Sequence, residues 1–395
     1  MTSTANKQAT GKADVTHLLA LGSFRNWLRL ARRNGVDRAF WRRALFITAV
    51  SALTAPLRLY ERARYNRAVD RAPITQPPIF ILGHWRSGTT NLHYLMSQDP
   101  QLGYITMFQM VAPDMLFVGE RVIKPAFAKV TPTKRPIDNL PLSIDGAQEE
   151  EFGLATMSPH SFYHCWFFPR QMEHYLQTYA VFSNTAPQVV AEWNRHYLHL
   201  LRKATLNMGG KRLLIKNPTN TGRIRQLLEL FPDAKFVNIV RDPYRVFLSM
   251  RYMVTVNYNS LQLQAITPEQ IEENVLHIYE EVMQQYLRDR ALIPPENLVE
   301  VRFEDLEQAP LAEVERVYTQ LGLPGLAEAR PGFQTYVDSL RGYKKNPLNL
   351  SDADIARVNE RWGFAFDAWG YERQIPGASA HEAAPHDLLS NAVGQ

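Results

Sequence analysis

Ile79-Phe80-Ile81-Leu82-Gly83-His84-Trp85-Arg86-Ser87-Gly88-Thr89-Thr90, followed by Asn91-Leu92-His93-Tyr94-Leu95-Met96, is the stretch on which the fold turns. Four consecutive apolar residues after Pro77-Pro78 predict a strand buried on both faces, as in a parallel sheet. A glycine-bounded loop then leads into apolar residues at helical spacing. Strand, loop and helix in this order make an anion cradle, because backbone N–H groups at a helix start lack intrahelical partners and converge on one point. The spacing Gly83-x4-Gly88, with two hydroxyl residues after it, fits the nucleotide P-loop except that Thr89 stands at the lysine position. Without that lysine, and with no obvious acidic strand end for Mg²⁺, transfer of an ATP γ-phosphoryl group is poorly served. Arg86 instead brings a fixed cation with several donors into the loop.

Further along, the strand-like run 235–240 ends at Arg241, and Asp242-Pro243 has the form of an N-cap with proline in the first helical turn. Ser249 lies two helical turns on. The same alternation predicts strands at 79–83, 212–216, 235–240 and 298–303, and helices at 89–98, 221–231, 243–255, 268–290 and 310–321. The fold class is α/β: a P-loop-like three-layer sandwich with a parallel β-sheet flanked by helices, with ligands at the carboxyl ends of its strands. Residues 1–74 form an N-terminal basic helical segment, 75–375 a catalytic domain and 376–395 a flexible tail.

With both motifs in this order, residues 76–350 resemble the sulfotransferases that use 3′-phosphoadenosine 5′-phosphosulfate (PAPS). The resemblance implies that Arg86, Ser87, Gly88, Thr89 and Thr90 hold the 5′-phosphosulfate, and that Arg241 and Ser249 hold the 3′-phosphate. Its late basic loop corresponds to Arg341-Gly342-Tyr343-Lys344-Lys345, which departs from the usual Arg-Lys-Gly order and offers Lys344 and Lys345. The branch with Arg at the loop's first position, comprising bacterial, tyrosylprotein and carbohydrate types, usually carries Pro before it; here Trp85 stands there.

Sulfuryl transfer needs in-line placement, a cation on the leaving phosphate oxygen and a base for the acceptor proton. Arg86 is the first cation; Lys216, at a strand end, is either a second one or a solvated lysine. Asp145 and Gln148 have capping-box spacing, so Glu149, Glu150 and Glu151 read as first-turn charge favoured by the helix dipole. The run also resembles the acidic stretch of the bacterial and carbohydrate branch, which makes Glu149 or Glu150 the base. Adjacent helical residues point about 100° apart, so at most one or two can face inward. His84, His93 and His160 are the competing bases.

Eight aromatic residues between Phe162 and Phe182 read as core, a share of them lining an apolar acceptor site. That suits a small-molecule acceptor such as a phenol, a lipid alcohol or an aromatic alkaloid-like substrate better than a polyanionic glycan. Of the net charge of +5, residues 1–78 carry +10 and the other 317 residues −5. The arginine-rich stretch 24–71 is therefore a helical subdomain packed on the body, or a basic surface lying on anionic lipid with Trp27, Phe40 and Trp41 at the interface. Its uncharged run 44–57 is short of the ~20 residues a spanning helix needs. No nucleic-acid motif accompanies the arginines. A lone Cys165 excludes an internal disulfide, and the chain reads as cytoplasmic with no metal expected. Two other readings stand beside the sulfotransferase: a P-loop phosphotransferase, and a membrane-peripheral binding protein without turnover.

Overall fold

The computed structural model describes residues 17–133, 142–340 and 350–377. Five parallel strands, β1 (Ile79–Leu82), β2 (Leu102–Gly103), β3 (Arg212–Lys216), β4 (Lys235–Val240) and β5 (Leu298–Arg302), lie in the order β2-β3-β1-β4-β5. Ile79 pairs with Leu214 on one side and Lys235 on the other, which puts β1 at the centre. All four of its side chains are fully buried, as a strand between two helical layers requires.

Strand periodicity divides those side chains between two cores. Phe80, Leu82, Leu213, Ile215 and Phe236 face one layer, where the helices Pro243–Leu261, Pro268–Asp289 and Asp352–Trp369 contribute Phe247, Val282 and Trp362. Ile79, Ile81, Leu214, Val237 and Val301 face the other, built from the helices Thr89–Met96, Pro310–Leu321 and Leu326–Ser339. This is the three-layer sandwich expected.

Element bounds follow the expectation with shifts of a few residues. The predicted helix 221–231 is a 3₁₀ turn, Pro218–Gly222, followed by Ile224–Leu230. The helix expected at 243–255 continues to Leu261. Asp242 caps it as anticipated, its carboxylate accepting from Tyr244 N at 2.8 Å and Arg245 N at 3.3 Å. The capping box expected at Asp145–Gln148 does not form. That stretch is held in a bridge between Thr106 and Ala147, Gln148 N donates to Ile105 O, and the helix begins only at Glu150.

The basic N-terminal stretch packs on the body. Trp27, which only the lipid-surface alternative put at an interface, is buried, its indole donating to Thr48 Oγ1 at 2.8 Å; Asn26 donates to the carbonyls of Ala155 and Ser158 at 3.1 and 3.0 Å. The uncharged run splits at Thr54 into the helices Trp41–Leu53 and Ala55–Arg71, with Pro56 in the first turn of the second. Among the described residues no helix is long and apolar enough to cross a membrane. Buried Glu61 fastens the second helix: its carboxylate accepts from the N–H groups of Leu116, Phe117 and Val118 and pairs with buried Lys203. The expected tail lies outside the described residues from 378 onward.

Candidate active site

The loop after β1 is shaped by two glycines that space and backbone both require. Gly83 has φ +128°, and a Cβ there would meet Ile239 O at 2.4 Å; Gly88 has φ +97°, and a Cβ would meet the Phe303 ring at 2.2 Å. Gly83 N donates to Thr221 Oγ1 at 2.8 Å, and Ser87 N to His84 O at 3.1 Å, closing the turn. Trp85, the substitute for the usual Pro, is buried; its indole donates to Tyr163 Oη at 3.1 Å and its ring packs on Phe162 and Trp166. A large side chain at the loop's entry thus anchors it to the aromatic core.

Arg86 has φ +72°, a conformation rarely taken by residues with a Cβ and held only where surroundings impose it. Those surroundings are the second motif: Arg86 Nε donates to Ser249 Oγ at 2.8 Å, and Arg241 Nη1 donates to Arg86 O at 3.0 Å. The two stretches, some 155 residues apart, therefore meet at Arg86. Arg241 lies over the Phe303 ring, 4.2 Å from its centroid. Burial first, and the adjacent Arg86 charge second, lower its pKa from the ordinary arginine value. Two neighbouring half-buried arginines beside a serine hydroxyl and a helix start are the kind of arrangement that suits a multiply charged anion.

On the opposite side of the loop, Lys216 at the end of β3 is buried; its ammonium donates to Thr90 Oγ1 at 3.2 Å and pairs with Glu149. Tyr163 donates to the other Glu149 oxygen. Glu149 is the N-cap position of the helix Glu150–Met157, with extended backbone, and its side chain retains some exposure. Its two neighbours lie deeper. Glu150 is fully buried, with Oε1 accepting from Tyr197 Oη at 3.0 Å, Asn217 Nδ2 at 3.1 Å and Asn220 Nδ2 at 2.7 Å. Burial and the neighbouring Glu151 charge push its pKa up to about 7. For Glu151 burial works upward too, but the Arg223 guanidinium, donating at 2.6 and 2.9 Å, wins and lowers the carboxyl from its ordinary value.

The histidines are less accessible. His84 and His93 are fully buried; burial brings His84 down to about 3, and burial with Lys216 nearby holds His93 well below its ordinary value. His160 sits in a separate cluster, 2.7 Å from Glu192 and 3.2 Å from Tyr179. Lys344 and Lys345 lie outside the described residues. All eight aromatics of 162–182 are buried in the main core, and Tyr163 joins that core to Glu149. Thr221 and Phe303 were not anticipated, and Tyr163 only as one of the eight aromatics, without its bond to Glu149. Only Phe303 had a local signal, its place at the end of the last predicted strand.

Residues 77–328 match the sulfotransferase family. The chain is 32% identical over 356 residues to the omega-hydroxy-beta-dihydromenaquinone-9 sulfotransferase Stf3 of Mycobacterium bovis and of Mycobacterium tuberculosis, covering 90% of this chain and 91% of each relative. Among solved structures it is similar in fold to the sulfotransferase STF1 from Mycobacterium tuberculosis, with TM-score 0.64, 21% identity and coverage of 90% of this chain and 93% of that one. The sulfotransferase STF9 from Mycobacterium avium gives TM-score 0.65 at 18% identity, with coverage of 90% and 98%. A glycine-bounded loop between strand and helix, without the phosphoryl-transfer lysine and met by a second arginine motif, accords with this match: the chain belongs to the sulfotransferase family and is an enzyme of sulfuryl transfer.

Proposed function

We propose that the sulfuryl donor is PAPS, that the acceptor is a hydroxyl or amine of a lipid-like molecule, and that Glu149 is the general base. The observation that carries this reading is the Glu149 carboxylate, held between Lys216 and Tyr163 beside Thr90 of the anion loop. The residues fit the donor: a loop whose glycines permit no Cβ, and a cluster of Arg86, Arg241 and Ser249 a short reach away, provide for two anionic ends. The name of the curated relatives, which act on a hydroxylated menaquinone, supports a lipid alcohol as acceptor.

When bound, PAPS supplies the sulfuryl group, which passes to the acceptor as the bond from sulfur to the bridging phosphate oxygen breaks. Ser87, Gly88, Thr89 and Thr90 cradle the 5′ end through backbone N–H groups and hydroxyls. Arg241 and Ser249 hold the 3′-phosphate, while Arg86 neutralises charge between the two ends. Glu149 takes the acceptor's proton, and Lys216 steadies that carboxylate and stands ready for the charge growing on the leaving oxygen. Glu150, enclosed by Tyr197, Asn217 and Asn220, packs the helix start that presents Glu149.

Glu149→Gln is expected to lower turnover by ~10²–10⁴. It should leave the affinity for adenosine 3′,5′-bisphosphate nearly unchanged, since the loop and both arginines remain. Arg241→Ala should do the reverse, weakening the bisphosphate strongly. Full turnover of Glu149→Gln with labelled PAPS and a panel of lipid alcohols, phenols and amines would refute the base; bisphosphate binding indifferent to Arg241→Ala would refute the donor.

A further inference from the structure

Five of the ten large hydrophobic residues that are exposed among the described residues fall within twenty positions: Trp41, Leu45, Leu53, Leu59 and Tyr60. They occupy the helices Trp41–Leu53 and Ala55–Arg71, and Leu53 is 81% exposed. Within the first helix the exposed positions are 41, 42, 45, 49, 52 and 53, and 41, 45, 49 and 53 recur at one helical turn, so one face of that helix is turned away from the body along its length. Exposed arginines flank the apolar centre, with Arg38 and Arg42 before it and Arg62, Arg64, Arg67 and Arg71 after it. The acids of the same stretch are otherwise engaged: Glu61 is buried against Lys203, and Asp70 lies 3.1 Å from His199.

The face is also stiffly mounted. At the break between the helices Arg58 donates to Ser51 O and, at 2.7 Å, to Thr54 Oγ1, while Glu61 ties the second helix to residues 116–118. The Pro113–Met115 turn packs against both Ala55–Arg71 and the helix Glu150–Met157, which begins one residue after the candidate base.

We propose that this face docks the enzyme on an anionic lipid bilayer, with Trp41, Leu45, Leu53, Leu59 and Tyr60 entering the headgroup boundary and the flanking arginines meeting lipid phosphates. Charge complementarity selects this occupant. A second copy would set six arginines against six, whereas an anionic bilayer offers apolar depth and negative charge together. The proposal concerns surface residues alone and is independent of which donor or base the enzyme uses.

Flotation of the full chain with phosphatidylcholine–phosphatidylglycerol vesicles, against phosphatidylcholine alone, tests it. Binding is expected to the anionic vesicles, and to weaken with salt. Arg62→Gln/Arg67→Gln should reduce partitioning roughly thirtyfold, at about a factor of five for each arginine. Leu45→Glu/Leu59→Glu should reduce it at least as far. Both variants should bind adenosine 3′,5′-bisphosphate as the parent does, which certifies their fold. Brominated lipid should quench tryptophan emission in the parent and far less in Trp41→Phe, because Trp27, Trp85, Trp166, Trp193 and Trp362 are buried and Trp369 is half-buried against Tyr286. Equal affinity for both vesicles, no binding to either, or partitioning unchanged in the two variants would overturn the proposal. So would a dimer in sedimentation velocity that Leu45→Glu/Leu59→Glu dissolves, with no vesicle binding.

Discussion

Replacing Gly88 by Ala strikes both anion motifs through one ring. A Cβ at φ +97° falls 2.2 Å from Phe303 Cδ2 and 2.8 Å from Cε2. Left-handed backbone costs a residue with a Cβ about 1–2 kcal/mol. Pushing the ring aside adds overpacking of about 1–3 kcal/mol, for a combined loss of about 2–5 kcal/mol in stability. Phe303 carries the Arg241 guanidinium 4.2 Å from its centroid, and Arg241 in turn holds the Arg86 carbonyl. A shifted ring therefore withdraws the cation assigned to the 3′-phosphate. One charge-assisted hydrogen bond contributes about 1.5–3 kcal/mol, so affinity for adenosine 3′,5′-bisphosphate should fall roughly 10- to 150-fold. Adenosine 5′-monophosphate reports on the loop alone and should lose less. Titration calorimetry with both nucleotides separates the two effects. Gly88→Ala/Phe303→Leu should regain stability by removing the clash, yet stay weak for the 3′-phosphate because Arg241 has lost its platform. Equal losses for the two nucleotides, or none, would refute the coupling through Phe303.

Arg223→Met should destabilise by about 3–5 kcal/mol in chemical denaturation, since it strands the buried Glu151 carboxylate, and Glu151→Gln/Arg223→Met should recover part of that loss. If single and double variants unfold at the same midpoint, the pair is not coupled. Glu150→Gln should change how stability depends on pH. With its folded pKa raised to about 7 from 4.5, Glu150 contributes stability that is complete below pH 4.5 and lost as pH rises through 7. The variant, which keeps an acceptor for Tyr197, Asn217 and Asn220, should gain on the parent across that window. A difference in stability independent of pH would show that Glu150 does not titrate there.

Contiguity decided what could be read from the chain. The anion loop was legible because strand, glycines and helix follow one another without interruption, and Arg241 with Ser249 because a strand end and two helical turns fix their separation. The choice between Glu149 and Glu150 was not, because it depends on where a helix starts. A bridge from Ala147 to Thr106 delays that start to residue 150 and leaves Glu149 in extended backbone, off the helical phase. Asp145–Gln148 satisfied the local pattern for a cap, and a contact with a distant segment overrode it. Tyr163, Thr221 and Phe303 reach the site from other elements, and among them only the predicted strand end at Phe303 gave a local signal. The two-residue edge strand β2 is too short to leave a pattern, and Pro331 lies inside the unanticipated helix Leu326–Ser339. Composition left Trp27 open between a packed subdomain and a lipid interface, and what decides it, the contact with Thr48 and the main core, is not local to it.

Trp85, Tyr163, Glu149, Lys216 and Thr90 are joined in sequence, so the loop is tethered at its entrance by the indole and at its exit by the threonine. Such a closed chain gives up its conformational entropy when the protein folds rather than when a nucleotide arrives. Nucleotide association should then carry only a small ordering penalty and a heat-capacity change close to that of the buried ligand surface. Cutting the chain at Tyr163, by Tyr163→Phe, would make the same association more exothermic and entropically more costly, a signature that affinity alone would conceal.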